Sequence, residues 1–481
     1  MSKTQTKPKI PKNPENIHRV NFEKLVFGGK ALGRFETGAC VFAPKVLPQE
    51  EAEVYISKKK RDYAEAMPLR ILKKSPERVE PLCSHFEKCG GCSFQNLPYE
   101  KQLYWKEEFL RESLERIGKF SVSTIKRFLK PIIPARNTFR YRNKTEFSFT
   151  RGEEDRKIQV GFHQLGRKFD LVEPNFCLLQ SEIADKALGA LREILQKSKL
   201  TIFSSSPQNR KASWKGFLKN ITFRTNYQEK ILIIISTSDE KFPEKELEIW
   251  KSTFQKHLQG NFVGIIQLRE KQKKKNPTKT KVKILYGQAV IPEKIADLLF
   301  EVGPQGFLQV NREMATVIIE KLRQIAAGFE KKPKVLDLFC GNGFLGLAVA
   351  KEVSSVTGIE LNSNAIEEGR RNLILNSIKN YTFYEGDAAK TLKDLIQDNK
   401  FDLAVIDPPR AGLGEKACEV LLQTKTKKII YISCNPSTLA RDLKYLAENS
   451  YQIISSQALD MFPQTYHLES ITVLEKIAKK I

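Results

Sequence analysis

Nowhere does the sequence carry the roughly 18 consecutive apolar residues that a membrane-spanning helix needs; the most apolar run is residues 231–235 with their neighbours. Residues 1–20 are rich in Lys and Pro and lack the apolar core of a secretory signal. A cytoplasmic protein with no membrane partner is expected. Cysteine is scarce and unevenly placed, eight residues in 481, which excludes the disulfide framework of a small secreted protein. Internal repeats are absent, which excludes a solenoid. Negative charge is also in deficit: 56 Asp and Glu against 81 Lys and Arg leave a net charge of +25. Such a field favours a polyanionic partner, nucleic acid ahead of acidic lipid, and leaves fold and chemistry to the motifs.

The length exceeds one compact core and calls for several domains. Residues 1–14 read as a disordered basic arm. Residues 15–75 hold short alternating runs, with Gly28, Gly29 and Gly33 read as turns. They predict an OB-like β-barrel, a fold that binds single-stranded nucleic acid or simply packs on its neighbour. Cys83, Cys89 and Cys92 then crowd together, which suggests a metal or cluster site. Leu103, Phe109, Leu110, Leu114 and Ile117 recur at helical spacing and predict the core face of a helix over 99–117. Strand-like runs at 145–150, 219–224, 230–236 and 262–267, with a helix over 183–196, predict an α+β central domain spanning residues 76–304. A Lys-rich run between Arg269 and Lys283 reads as a solvated hairpin tip, with contact to RNA phosphates as the minority reading.

Over residues 305–481 strands and helices alternate, with apolar runs at 335–338, 356–360, 381–385, 403–406 and 429–433. That rhythm predicts a mainly parallel α/β sheet, whose ligands bind beyond the strand carboxyl ends. The first run enters a Gly turn, Phe339-Cys340-Gly341-Asn342-Gly343, where missing side chains let a ligand approach the backbone. Nineteen residues past Gly341, Glu360 ends the next run, in the place from which a carboxylate accepts hydrogen bonds from ribose hydroxyls. Asp387, after the third run, is positioned to face an adenine amino group. Together these residues describe a nucleoside-type cofactor site. Gly346 sits at the third position of a dinucleotide fingerprint, so the glycines alone leave a nicotinamide cofactor open.

Asp407-Pro408-Pro409-Arg410 ends the fourth run and Ser433-Cys434-Asn435-Pro436 the fifth, both over one crevice. The paired prolines make a rigid loop for Asp407 and Arg410. Cys434 at the rim is a candidate nucleophile. A thiolate suits one reaction well: adding to C6 of uracil, it turns the poorly nucleophilic C5 into an enolate carbon that can take a methyl group from a sulfonium. A base must then remove the C5 proton. Glu469 is the best-placed carboxylate for that step, with His467 ranked below it.

These motifs, in order, resemble the family of RNA 5-methyluridine (uracil-C5) methyltransferases. The match is to its iron-sulfur branch, which carries an N-terminal TRAM barrel and modifies a uridine of large-subunit (23S) ribosomal RNA. The marks are Cys83-x5-Cys89-Gly90-Gly91-Cys92-x2-Gln95, Tyr141-Arg142-Asn143-Lys144, Phe307-Leu308-Gln309-Val310-Asn311, Asp407-Pro408-Pro409-Arg410, Ser433-Cys434-Asn435-Pro436 and His467-Leu468-Glu469.

The resemblance implies a class I (Rossmann-like) methyltransferase domain in which Gln309, Phe339, Glu360 and Asp407 contact S-adenosylmethionine. It implies Cys434 as nucleophile and Glu469 as proton acceptor. It also implies that Cys83, Cys89, Cys92 and Cys177 hold a [4Fe-4S] cluster; four thiolates equally satisfy zinc, so that alternative stays open. Phe344 departs from the family pattern, which has Asn there, with Asn342 as a possible substitute. Structured RNA is the expected partner, ribosomal ahead of transfer RNA, and a monomer is the expected state. The rivals are a methyltransferase acting on an exocyclic base amine, which needs no cysteine, and a non-catalytic RNA-binding protein.

Overall fold

The computed structural model describes residues 16–151, 157–167, 169–203, 216–270 and 280–477. The basic arm expected over residues 1–14 and the Lys-rich tip at 271–279 lie outside the described residues.

Five strands, β1 (Ile17–Val26), β2 (Lys30–Arg34), β3 (Cys40–Pro44), β4 (Glu51–Lys59) and β5 (Tyr63–Lys73), form a closed barrel in the order β1-β2-β3-β5-β4. Small side chains make closure possible: Ala31, Ala43, Ala52, Ala64 and Ala66 are all buried beside Val20, Phe22, Val41 and Val54. Gly28 and Gly29 turn the chain between β1 and β2 as expected, but Gly33 lies inside β2. A Cβ there would come within 2.5 Å of Val20 Cγ1, so Gly33 serves close packing, not a turn.

Helix α1 (Tyr99–Arg116) follows, then α2 (Val122–Phe128) and strand β6 (Leu129–Ile133). Phe109, Leu110 and Leu114 are buried as the periodicity predicts, but Ile117 is 41 % exposed just past the helix end. Gln102 and Lys106 take its place on the buried face, at 1 % and 0 % exposure. The apolar pattern alone could not show that this face meets polar backbone.

The central sheet runs β13-β12-β11-β10-β7-β8-β9. Its strands are β7 (Lys144–Arg151), β8 (Ile158–His163), β9 (Leu171–Val172), β10 (Leu218–Thr225), β11 (Ile231–Ser238), β12 (Phe262–Glu270) and β13 (Thr280–Gly287). Helices α3 (Glu182–Lys197) and α4 (Glu244–Leu258) cover one face. The opposite face packs on the α/β unit, which explains why β11 is the most apolar run of the chain. Ile231, Ile233 and Ile235 point to the helices, while Leu232 and Ile234 enter the α/β core.

A hairpin of β14 (Ile291–Ile295) and β15 (Leu298–Val302) leads through α5 (Arg312–Ala327) into the last sheet. That sheet comprises β16 (Lys334–Leu338), β17 (Ser355–Glu360), β18 (Tyr381–Glu385), β19 (Leu403–Ile406), β20 (Lys428–Ser433), β21 (Tyr451–Leu459) and β22 (Glu469–Lys476), with β6 added at its edge. Helices α6 (Phe344–Val349), α7 (Ser363–Leu375), α8 (Ala388–Leu395), α9 (Gly414–Gln423) and α10 (Pro436–Glu448) alternate with the strands. The order is β18-β17-β16-β19-β20-β22-β21-β6, parallel from β18 to β20, with β22 antiparallel to both its neighbours. Among the described residues no helix is long and apolar enough to cross a membrane.

Candidate active site

Strand order reverses between β16 and β19, and an open α/β sheet binds its ligand at such a switch point. Leaving β16, the chain passes through Phe339 (φ 60°), Gly341 (φ 54°) and Gly343 (φ 81°) before α6 begins. Left-handed backbone at the two glycines is what makes this tight turn possible. Glu360, at the end of β17, accepts the Gly341 amide (3.0 Å) on one carboxylate oxygen and the Asn362 amide (2.8 Å) on the other. The carboxylate is therefore fixed beside the turn before any ligand arrives.

Beneath the turn lies a brace that the sequence reading missed. Asp337, fully buried in the middle of β16, accepts both the Tyr381 hydroxyl (2.8 Å) and the Gly346 amide (2.9 Å) on Oδ2. Burial pushes its carboxyl up to about 7 in spite of these bonds. The available signal was an acidic residue inside the apolar run 335–338. Phe344 turns into the core against Phe300, ring centroids 5.7 Å apart. Asn342 donates its side-chain amide to the Phe307 carbonyl (3.0 Å), tying the turn to the Phe307-to-Asn311 motif.

That motif is gripped from its other side by Asn143. The Asn143 amide donates to the Val310 carbonyl (3.0 Å), and its Nδ2 to the Gln309 carbonyl (3.1 Å). Gln309 is buried and Phe307 is 70 % exposed. Asp387, by contrast, lies exposed at the start of α8, where it accepts the Lys390 amide (3.1 Å) and caps the helix.

Across the switch point, Asp407 and Arg410 follow β19, Cys434 follows β20 and Glu469 opens β22. Ser433 pairs with Ser470 in the β20–β22 ladder, so Cys434 and Glu469 stand opposite each other at its end. Ser470 Oγ donates to the Ser433 carbonyl (3.0 Å) and locks this register. Asn435 caps α10 by accepting the Ser437 amide (3.1 Å), which puts Cys434 directly before a helix N-terminus, where an anion is favoured. The Arg410 carbonyl accepts Asn435 Nδ2 (3.0 Å) and Thr438 Oγ1 (3.2 Å), so the Pro-Pro loop is fastened to the cysteine turn.

The electrostatics of this cluster are shared. Burial, followed by the Glu469 charge, pushes the Cys434 thiol up to about 11, while Arg410 pulls it down by charge and hydrogen bonding. Burial and Asp407 raise the Glu469 carboxyl well above the usual range, again against Arg410. Burial pushes Asp407 up to about 7. His467 is driven down to about 4 by burial and by the cations Arg410 and Arg142. A neutral imidazole, a protonatable carboxyl pair and a thiol under one guanidinium make a set suited to nucleophilic and proton-transfer chemistry.

The model of the tRNA (uracil-5-)-methyltransferase family matches residues 98–477. The chain belongs to this family. It is similar to an uncharacterized RNA methyltransferase of Listeria innocua, 34 % identical over 95 % of this chain and 96 % of that one. A second such protein, from Halalkalibacterium halodurans, is 30 % identical over 98 % and 99 %. Among solved structures, the Pyrococcus abyssi tRNA (uracil-54, C5)-methyltransferase in complex with S-adenosyl-L-homocysteine aligns with a TM-score of 0.70 and 25 % identity. It covers 95 % of this chain and 100 % of its own. This uracil-5-methyltransferase family member is thus an S-adenosylmethionine-dependent RNA (uracil-C5) methyltransferase.

In this family member the four expected cluster cysteines, Cys83, Cys89, Cys92 and Cys177, line a single cavity with Phe86, Phe162 and Arg142. Gln95 bridges the loop, accepting the Cys83 amide (3.1 Å) and donating to Cys92 Sγ (3.2 Å), and the Gly91 amide donates to Cys89 Sγ (3.4 Å). Among the described residues no three Cys, His, Asp or Glu side chains stand close enough to hold one metal ion. By donor chemistry alone, four thiols around a shared space suit either a [4Fe-4S] cluster or a zinc ion.

Proposed function

We propose that the family member methylates C5 of a uridine in folded RNA through a covalent adduct on Cys434. The observation that carries this reading is the pairing of Cys434 and Glu469 at the end of the β20–β22 ladder, with Arg410 close enough to act on both by its charge. Cys434 Sγ forms a bond to C6 as the C5–C6 π electrons move onto the ring as an enolate. C5 then takes the methyl group from S-adenosylmethionine, whose sulfur–methyl bond breaks to leave a neutral thioether. Glu469 accepts the C5 proton, the C5–C6 double bond re-forms, and the sulfur–C6 bond breaks to return the thiolate.

Phe339, Glu360, Gln309, Asp387 and Asp407 are the residues we assign to S-adenosylmethionine. Glu360 is the best prepared of them, being oriented by two amides. Cys83, Cys89, Cys92 and Cys177 would hold a [4Fe-4S] cluster, supplying a rigid cross-link between the Cys-rich loop and the central domain. The barrel acts as a TRAM module, with the basic charge of the chain positioning RNA phosphates. The target base must leave its stack to reach Cys434. Large-subunit ribosomal RNA is the first substrate to test, on the resemblance of the barrel and cysteine motif. Transfer RNA is the second reading, favoured by the substrate of the Pyrococcus relative.

The test is incubation with RNA carrying 5-fluorouridine, whose fluorine cannot leave as a proton does. A denaturation-resistant protein–RNA adduct that disappears in Cys434→Ala is expected. Full methyl transfer by Cys434→Ala would replace this reading with methylation of an exocyclic amine.

A further inference from the structure

The turn between β21 and β22, residues 460–468, delivers His467 and Glu469 to the reaction centre, yet its anchors come from residues far earlier in the chain. Gln102 of α1 and Gln464 form a reciprocal pair: Gln102 Nε2 donates to Gln464 Oε1 (3.0 Å) and the Gln464 amide to Gln102 Oε1 (3.0 Å). The same Gln102 Nε2 reaches the carbonyls of Phe94 (3.0 Å) and Leu97 (2.9 Å), which joins α1, the Cys-rich loop and the turn at one point. The amides of Ser93 and Phe94 both donate to the Gln464 carbonyl (3.0 Å each). Lys106, one helical turn on, forms a fully buried ion pair with Asp460 and donates to the Phe462 carbonyl (3.0 Å).

Gln464 itself holds a left-handed φ of 68°, a conformation its neighbours must impose. Most of these anchors satisfy buried backbone carbonyls and amides, and because they come from two distant segments they fix the turn against both. What they supply is position. A general base displaced by about 1 Å loses on the order of a hundred-fold in rate.

We propose that Gln102 and Gln464 are positioning residues for removal of the C5 proton, acting through the 460–468 turn on Glu469. This rests on the covalent reading above. Because proton removal follows methyl transfer, loosening the turn slows the second half of the reaction selectively, and the methylated adduct on Cys434 outlives its formation.

The experiment uses the full chain, RNA tritiated at uridine C5, and S-adenosylmethionine with a radiolabelled methyl group. The unchanged chain releases one tritium per methyl transferred. With the protein in excess over RNA, so that each chain turns over once, Gln102→Met, and independently Gln464→Met, are expected to transfer methyl at close to the unchanged rate while tritium release lags about ten-fold or more, with a denaturation-resistant adduct building up. Both counts come only from folded, active molecules, so their ratio does not depend on how much of a variant folds. A ratio that stays at one in both variants overturns the inference. Glu469→Gln separates the two levels: if its release lags while the glutamine variants do not, only the positioning role fails. If Glu469→Gln also keeps a ratio of one, the assignment of Glu469 fails, and with it the positioning role built on it.

Discussion

Arg410 acts on the Cys434 thiol by its charge and by a hydrogen bond, opposing both burial and the Glu469 charge. With the thiol held up at about 11, the thiolate fraction grows about ten-fold per pH unit across the neutral range. The expected kcat/KM for methyl transfer therefore climbs with pH at a slope near one. Arg410→Gln removes the lowering influence, so its profile shifts to higher pH and its rate at neutral pH falls. Paired pH–rate profiles check this; overlapping profiles would remove Arg410 from the account.

Asp337 gives a stability prediction of definite sign. Its folded carboxyl titrates at about 7, against about 3.9 for an unfolded chain, so the folded state holds the proton more tightly. The stability it contributes is fully present below the unfolded value and is lost as pH rises through the folded one. Asp337→Asn keeps an acceptor for Tyr381 and Gly346 without that charge. Its Tm relative to the unchanged chain should rise between about pH 4 and about pH 7 and stay level above, read by thermal denaturation across that range.

Glu360→Gln should weaken binding of S-adenosylmethionine by roughly ten- to a hundred-fold, the loss expected when a charged acceptor becomes neutral. Titration calorimetry reads this directly. An unchanged Kd would mean that Glu360 serves only the Gly341 and Asn362 amides.

Protein purified without oxygen should carry about four iron and four sulfide per chain, and Cys89→Ser should lose both. Elemental analysis distinguishes this from zinc, which would appear as about one equivalent with no sulfide.

The parts of the fold written in side-chain periodicity were legible from the sequence. The parallel strands β16 to β20 sit within a residue or so of their predicted places, and Phe109, Leu110 and Leu114 of α1 are buried as their spacing predicts; of the barrel, the sequence showed its kind and extent but not each strand. Cys434, Glu469 and Glu360 were legible because strand ends in an α/β sheet converge whatever the loops between them do. Contacts made by polar side chains on distant backbone were not. Nothing near Gln102 in the sequence points to Gln464, and nothing in Tyr381 announces its bond to Asp337. Asn143 was part of a quoted motif, but its hold on residues 309 and 310 needed the fold to be seen.

Strand β6, residues 129–133, lies parallel to β21 at the edge of the last sheet, and Gln457 reaches back across 326 positions to the Pro131 carbonyl. During synthesis that edge partner emerges some 326 positions ahead of the strand it pairs with and must wait for it. A fragment beginning at residue 305 would expose the bare flank of β21, inviting self-association in place of activity.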